Sequence, residues 1–216
     1  MKRDAANREY LENFAREASF SDWLACYHVF KHLPSGSVLH TANSASIRYS
    51  QLFDHPNETH HYTNRGTSGI DGCTSTAIGH ALTTQKPVTL ITGDVAFLYD
   101  ANAFWQHDLP DNLRVVVLNN GGGNIFRIIQ GPDKDAVFER FQETVHHHQL
   151  SSVAATFDID FQSVANSDQL LEVLPGFYSE NKGRGPRILE NKNPPQRNPR
   201  VLKSYFRYLK NAVSKT

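Results

Sequence analysis

Two largely apolar runs, "PVTLITGD" (87–94) and "LRVVVLNN" (113–120), constrain the fold of this chain more than anything else in it. Both are short and rich in β-branched residues, with apolar side chains on both faces despite Thr89, Thr92 and Arg114. Strands covered by protein on both faces have this pattern. Between them Phe97, Leu98, Ala101, Phe104 and Trp105 fall at helical spacing, which predicts a helix with one apolar face beginning near Phe97. Strand, helix and strand at this separation make a βαβ unit, and hence a parallel sheet with a right-handed crossover.

The rest of the chain extends the alternation. Leu11, Phe14, Ala15 and Ala18 predict a leading helix over 7–18. Ser21 or Asp22 can cap a second helix carrying Trp23, Leu24, Tyr27 and Phe30, which Pro34 and Gly36 stop. "SVLHTANS" (37–44) reads as a short buried strand running into a polar loop, and 51–61 as a His-rich surface loop. "HYTNRGTSGIDG" (61–72) is a short extended piece and a glycine-dense turn. "CTSTAIGHALTT" (73–84) is a helix of small residues that allows close backbone approach. Residues 131–149 read as loop and short helix. Leu170, Leu171, Leu174 and Phe177 mark a helix, "PRILE" (186–190) a strand, and "KNPPQRNP" (192–199) an irregular connector. A closing amphipathic helix presents Val201, Leu202, Tyr205, Phe206 and Leu209 on one side and Arg200, Lys203, Arg207 and Lys210 on the other. The expected fold class is α/β: a doubly wound, mostly parallel sheet with helices on both faces.

Composition narrows the function classes. At 216 residues the chain suits one large α/β domain, or at a stretch two small ones. Lys+Arg and Asp+Glu are both 22, so no electrostatic excess argues for nucleic acid. No apolar run approaches the roughly 20 residues that span a bilayer, and the basic N-terminus is not followed by the apolar stretch of a secretory signal. Cys26 and Cys73 make no disulfide framework, so the expected address is cytoplasmic. Cys73 is expected to be buried and inert.

The chemistry lies at the strand ends. In open α/β sheets ligands bind outside the carboxyl ends of the strands, and Asp94 and Asn120 each close one of the two buried runs. A carboxylate and a carboxamide oxygen are hard donors, suited to Mg²⁺ rather than zinc. Gly121, Gly122 and Gly123 let the backbone turn sharply and offer a carbonyl, and the N-terminus of the helix near Phe97 favours an anion. Together these point to a Mg²⁺–diphosphate site. His146, His147 and His148 do not add a metal site, because three consecutive side chains cannot all face one ion on a regular element.

Gly93–Asp94, the 26-residue step and Asn119–Asn120 resemble the thiamine-diphosphate motif of the pyruvate-decarboxylase and acetolactate-synthase superfamily. "YTNRGTSGIDGCTSTAIG", "GDVAFLYDANAF", "NNGGGNIF" and "ANSASIR", with Val95 where the superfamily usually has glycine, resemble one branch more closely. That branch is the C-terminal domain of the MenD family of menaquinone-pathway synthases. The resemblance is continuous from about residue 38 to 126 and weaker over 131–190.

The resemblance implies thiamine diphosphate with Mg²⁺ (or Mn²⁺) held by Asp94, Asn120 and the carbonyl of Gly122. It implies that Asn43 and Ser44 contact the diphosphate beside Gly93, Val95 and Ala96. Ser68 and Gly69 would meet the aminopyrimidine, and Ile70 would wedge the cofactor into its bent form, for which a β-branched side chain is stiff enough. Arg48 and Arg65 would receive substrate carboxylates, for which guanidinium forks are suited, and Ile125 and Phe126 would wall the pocket. The implied substrates are 2-oxoglutarate, which is decarboxylated, and isochorismate, which receives the 1,4-addition. No catalytic residue is expected in this chain, because the activating glutamate belongs to an N-terminal pyrimidine domain of a partner subunit in a homodimer or homotetramer. The expected organisation is a linker or leading helix over 1–20 and a diphosphate domain over 21–216, with pyrimidine and middle domains absent and the piece inactive alone. An acetolactate-synthase-like domain, or a non-catalytic diphosphate-binding module, are the alternatives.

Overall fold

A computed structural model of the chain describes residues 2–56, 58–129, 137–180 and 184–213; within the expected loop over 131–149, positions 131–136 lie outside the described residues. At its centre is a six-stranded sheet of order β2-β1-β3-β4-β6-β5, parallel at every pairing. The strands are β1 (Val38–Thr41), β2 (His60–Thr63), β3 (Val88–Gly93), β4 (Leu113–Asn119), β5 (Asp160–Val164) and β6 (Arg187–Lys192). The two apolar runs are β3 and β4, the central pair, and both are buried along nearly their whole length.

Alternation along these strands makes two cores. Leu39, Ile91, Val116, Leu118 and Leu189 face one side, under α2 (Asp22–His32), α9 (Ser167–Phe177) and α10 (Arg197–Val213), with α1 (Lys2–Glu17) outside them. Val38, Val88, Leu90, Val115, Val117 and Ile188 face the other, under α4 (Cys73–Leu82) and α8 (Leu150–Thr156). Helices on both faces of a parallel sheet are the expected doubly wound fold. Trp23 is fully buried in the first core. It lies 4.8 Å from the Phe14 ring of α1, 5.0 Å from Tyr205 of α10 and 5.2 Å from Phe53.

The departures from expectation have physical reasons. β2 and β5 lie at the two edges of the sheet. Among the described residues each is paired on one side only, and each is largely exposed and polar, so neither carries the apolar signature of a central strand. The polar loop expected after β1 is instead the short helix α3 (Ala45–Ser50), with Ile47 and Tyr49 buried. The helix expected near Phe97 begins three residues earlier, as α5 (Asp94–Tyr99), and stops at Asp100. A 3₁₀ turn over Ala101–Trp105 follows. The tighter 3₁₀ winding rotates the register, so Phe97 and Phe104 stay buried while Trp105, expected on the apolar face, is 76% exposed. Two further short helices, α6 (Ile125–Ile128) and α7 (Phe138–Phe141), flank the glycine turn.

A histidine cluster sits along β1 and its neighbours. His40 Nε2 lies 2.9 Å from His80 Nδ1 on α4, and its ring stacks on Tyr62 of β2. Burial pushes His40 down to about 4, and the neighbouring His80 and His61 push in the same direction. The unfolded chain therefore takes up this proton near 6.5 while the folded chain resists it to about 4. Stability is full above the unfolded value and is lost as pH falls through that window. The thermal midpoint should accordingly drop more steeply between pH 7 and pH 4.5 in the wild type than in His40→Gln. Parallel slopes would contradict this.

Candidate functional site

The strand order places a topological switch between β1 and β3. From β1 the chain moves outward to β2, then returns through α4 to β3 on the opposite side. Ligand crevices form at such points. Here a cavity of about 200 Å³ opens at the carboxyl ends of β1, β3 and β4, with Asn43, Asp94 and Asn120 in its wall.

Asp94 is the first residue of α5 and is 1% exposed. Its Oδ2 accepts from the Gly121 amide at 2.7 Å, the Gly122 amide at 2.9 Å and His146 Nε2 at 3.1 Å. Among the described residues its Oδ1 accepts only from its neighbour, the Val95 amide, at 2.9 Å, so it retains lone-pair capacity. The hydrogen bond from His146 to Asp94 holds that imidazole's pKa above its ordinary value.

Asn120 is buried, and its Nδ2 donates to Asp22 Oδ2 at 2.9 Å. Its Oδ1 is buried without a partner among the described residues. Such an oxygen is costly unless something completes it. Gly122, two residues on, carries its carbonyl into the same turn, where it accepts from the Asn124 amide at 2.9 Å. Only glycine fits at 122: an added Cβ would stand 2.8 Å from the Glu143 carbonyl. That carbonyl also accepts from the Gly123 amide at 2.5 Å. Glu143 is in turn clamped by Arg127 through Nε and Nη2, so the segment behind the glycines is fixed rather than loose.

The Asp94 carboxylate, the orphaned carboxamide oxygen of Asn120 and the Gly122 carbonyl, in a single small cavity, are oxygen donors of the kind that a hard divalent cation takes, with positions left for phosphate. The residues present therefore fit a Mg²⁺–diphosphate group.

Of the other expected residues, the cavity wall includes Ser44, Ile70, Gly93, Val95, Ala96, Ile125 and Phe126. Ile70 packs on the small apolar cluster of Ala42, Cys73 and Ala96. Asn43 Nδ2 ties the 64–69 loop down through the Asn64 carbonyl at 3.1 Å and the Gly69 carbonyl at 2.5 Å, while its buried Oδ1 has no partner among the described residues. Ser44 holds φ at 71°, a conformation that L-residues adopt at a cost and that clusters at ligand clamps. Ser68 and Arg65 are exposed on the loop that Asn43 anchors, and Arg48 is exposed with its Nη1 on the Ser44 carbonyl at 2.6 Å. Ser68, Gly69, Arg48 and Arg65 are not in the cavity wall.

The sequence reading did not single out His146 as a neighbour of Asp94, nor any carboxamide around Asp22. Ser21 is the N-cap of α2, its Oγ accepting from the Leu24 amide at 3.4 Å. Asp22, fully buried, turns instead to Asn120, Asn193 at 2.7 Å and Asn198 at 2.8 Å. Burial pushes its carboxyl up to about 6, against the amides of Asn193 and Asn120, and Asp94 pushes it the same way. Asn193 follows β6 and Asn198 lies in the first turn of α10, which begins at Arg197 inside the irregular connector expected over 192–199, and the proline-rich segment offers no local signal for either.

Comparison with known proteins agrees with the geometry. The family described as "Thiamine pyrophosphate enzyme, C-terminal TPP binding domain" matches residues 43–190. The chain is 40% identical over 199 residues to the 2-succinyl-5-enolpyruvyl-6-hydroxy-3-cyclohexene-1-carboxylate synthase of Christiangramia forsetii, covering 92% of this chain and 34% of that protein. It is 39% identical over 198 residues to the protein of the same name from Flavobacterium johnsoniae, covering 92% and 35%. It is likewise 39% identical over 197 residues to that of Porphyromonas gingivalis, covering 91% and 34%. The chain spans about a third of the length of the curated relatives it matches.

Proposed function

The chain belongs to the thiamine pyrophosphate enzymes, through their C-terminal cofactor-binding domain, and from that premise we propose that it holds thiamine diphosphate and Mg²⁺ for a 2-succinyl-5-enolpyruvyl-6-hydroxy-3-cyclohexene-1-carboxylate synthase. The observation that carries this reading is the buried, unpartnered Oδ1 of Asn120 in the wall of the cavity that Asp94 also lines. Asp94, Asn120 and the Gly122 carbonyl hold the cation. Asn43 and Ser44 face the diphosphate, with Gly93, Val95 and Ala96 forming the floor. Ser68, Gly69 and Ile70 meet the pyrimidine end, which Asn43 steadies by fixing the loop at Gly69.

When bound, thiamine supplies the electron sink for decarboxylating 2-oxoglutarate and for 1,4-addition to isochorismate. The residues of this chain bind and orient: Ile125 and Phe126 keep the pocket apolar, and Arg48 and Arg65, exposed as they stand, receive substrate carboxylates. This domain works with the pyrimidine domain of a second subunit in a cytoplasmic homodimer or homotetramer, and alone it binds without turnover. Among the described residues no helix is long and apolar enough to cross a membrane.

Calorimetry tests the reading. Thiamine diphosphate should bind in a Mg²⁺-dependent manner, and ADP with Mg²⁺ should bind far more weakly. Equal binding of both would make the chain a general diphosphate module and overturn the proposal.

A further inference from the structure

Asp22 lies far from the motif in sequence, yet its Oδ2 takes the Nδ2 of Asn120 at 2.9 Å, and both residues line the cavity. A carboxylate can only accept hydrogen bonds, whereas a carboxamide donates at one end and accepts at the other. The contact with Asp22 therefore decides which end of Asn120 points where: nitrogen to Asp22, oxygen away from it. We infer that Asp22 is a positioning residue, which presents the Oδ1 of Asn120, rather than its NH₂, to a divalent cation.

Asp22 is itself held on every side by donors. Asn193 Nδ2 reaches its Oδ1 at 2.7 Å and Asn198 Nδ2 its Oδ2 at 2.8 Å, while the Asp22 amide donates to Asn198 Oδ1 at 2.9 Å. The same two-ended contact fixes Asn198, so its own orientation is determined as well. The neighbouring Asn119 follows the same logic toward a different acid: its Nδ2 donates to Glu190 at 2.6 Å and its Oδ1 accepts from the Gly121 amide at 3.1 Å. The two asparagines of the motif are thus each oriented by a buried carboxylate, but of the two Asn120 alone is left with an oxygen that has no partner among the described residues.

This inference rests on the proposed Mg²⁺–thiamine diphosphate site, and the test separates the two. Asp22→Asn keeps the shape but can also donate, which frees Asn120 to turn its NH₂ toward the cation. Mg²⁺ affinity in the presence of thiamine diphosphate should fall about 10-fold or more, the range typical of losing a group that orients a metal ligand. Adding Asn120→Asp to Asp22→Asn should restore affinity, because a carboxylate offers oxygen at both ends; a purely structural role for Asp22 would give no such rescue. If Asp22→Asn folds poorly, nuclear magnetic resonance of the wild type decides instead. The side-chain NH₂ of Asn120 should exchange slowly with solvent, with and without Mg²⁺, and fast exchange would overturn the inference. Undiminished affinity in Asp22→Asn, beside a wild type that binds, overturns the inference alone. A wild type that takes up no Mg²⁺ with thiamine diphosphate overturns the site itself.

Discussion

Asp94→Ala is expected to abolish Mg²⁺-dependent binding of thiamine diphosphate, weakening it by roughly 100-fold or more, about 2.7 kcal/mol. Two losses combine. The cation loses its one carboxylate ligand, and Mg²⁺ sites are usually built on one or two. The turn also loses the acceptor for the Gly121 and Gly122 amides and for His146, so the carbonyl of Gly122 is no longer held in place. Asp94→Asn separates these effects. Its carboxamide oxygen can still accept from the glycine amides, so the fold and its thermal midpoint should hold while the charge is gone. Calorimetry should show cation-dependent binding lost in both variants. Wild-type affinity in either would remove Asp94 from the site.

Trp23→Ala is expected to cost about 3–5 kcal/mol, the usual range for emptying a buried aromatic site. Trp23 is 0% exposed and meets rings from α1, α10 and the segment after α3 at centroid distances of 4.8 to 5.2 Å. No single neighbour can move to fill the space without losing its own contacts. Domains have only about 5–15 kcal/mol in all, so the variant should unfold roughly 10 °C lower or more for a chain of this size. Circular dichroism is the readout, because the substitution removes the buried fluorophore and leaves Trp105, which is 76% exposed. A shift of only a degree or two would mean that α1 and α10 do not depend on this ring.

The parts of the molecule that were legible in the sequence share one property: their signal is local. β3 and β4 are largely apolar runs because they are the central strands. α4 and α9 show their periodicity within a dozen residues. Asp94 and Asn120 stand out because each closes a recognisable strand, whereas Gly122 is singled out among the three glycines only by the resemblance of the motif. What was not legible depends on distant partners. β2 and β5 are polar because they lie at the edges of the sheet and are largely exposed. The need for glycine at 122 becomes visible only once the Glu143 carbonyl stands beside it. Asp22 looked like a helix cap, the commonest use of an aspartate before an apolar helix. Its partners Asn120, Asn193 and Asn198 are 98 to 176 positions away, and no local pattern announces them. Three consecutive histidines cannot converge on one ion, yet one of the three, His146, reaches the Asp94 carboxylate 52 positions away.

The bonds between Asp22 and Asn198 span 176 residues. Closing so long a loop must be met entropically before the contact gives anything back, and such distant pairings form slowly. The central strands, 25 residues apart in register, have no such delay. A refolding chain is therefore expected to form the sheet before Asn120 is fixed, so that Mg²⁺-dependent binding of thiamine diphosphate should recover later than secondary structure after dilution from denaturant.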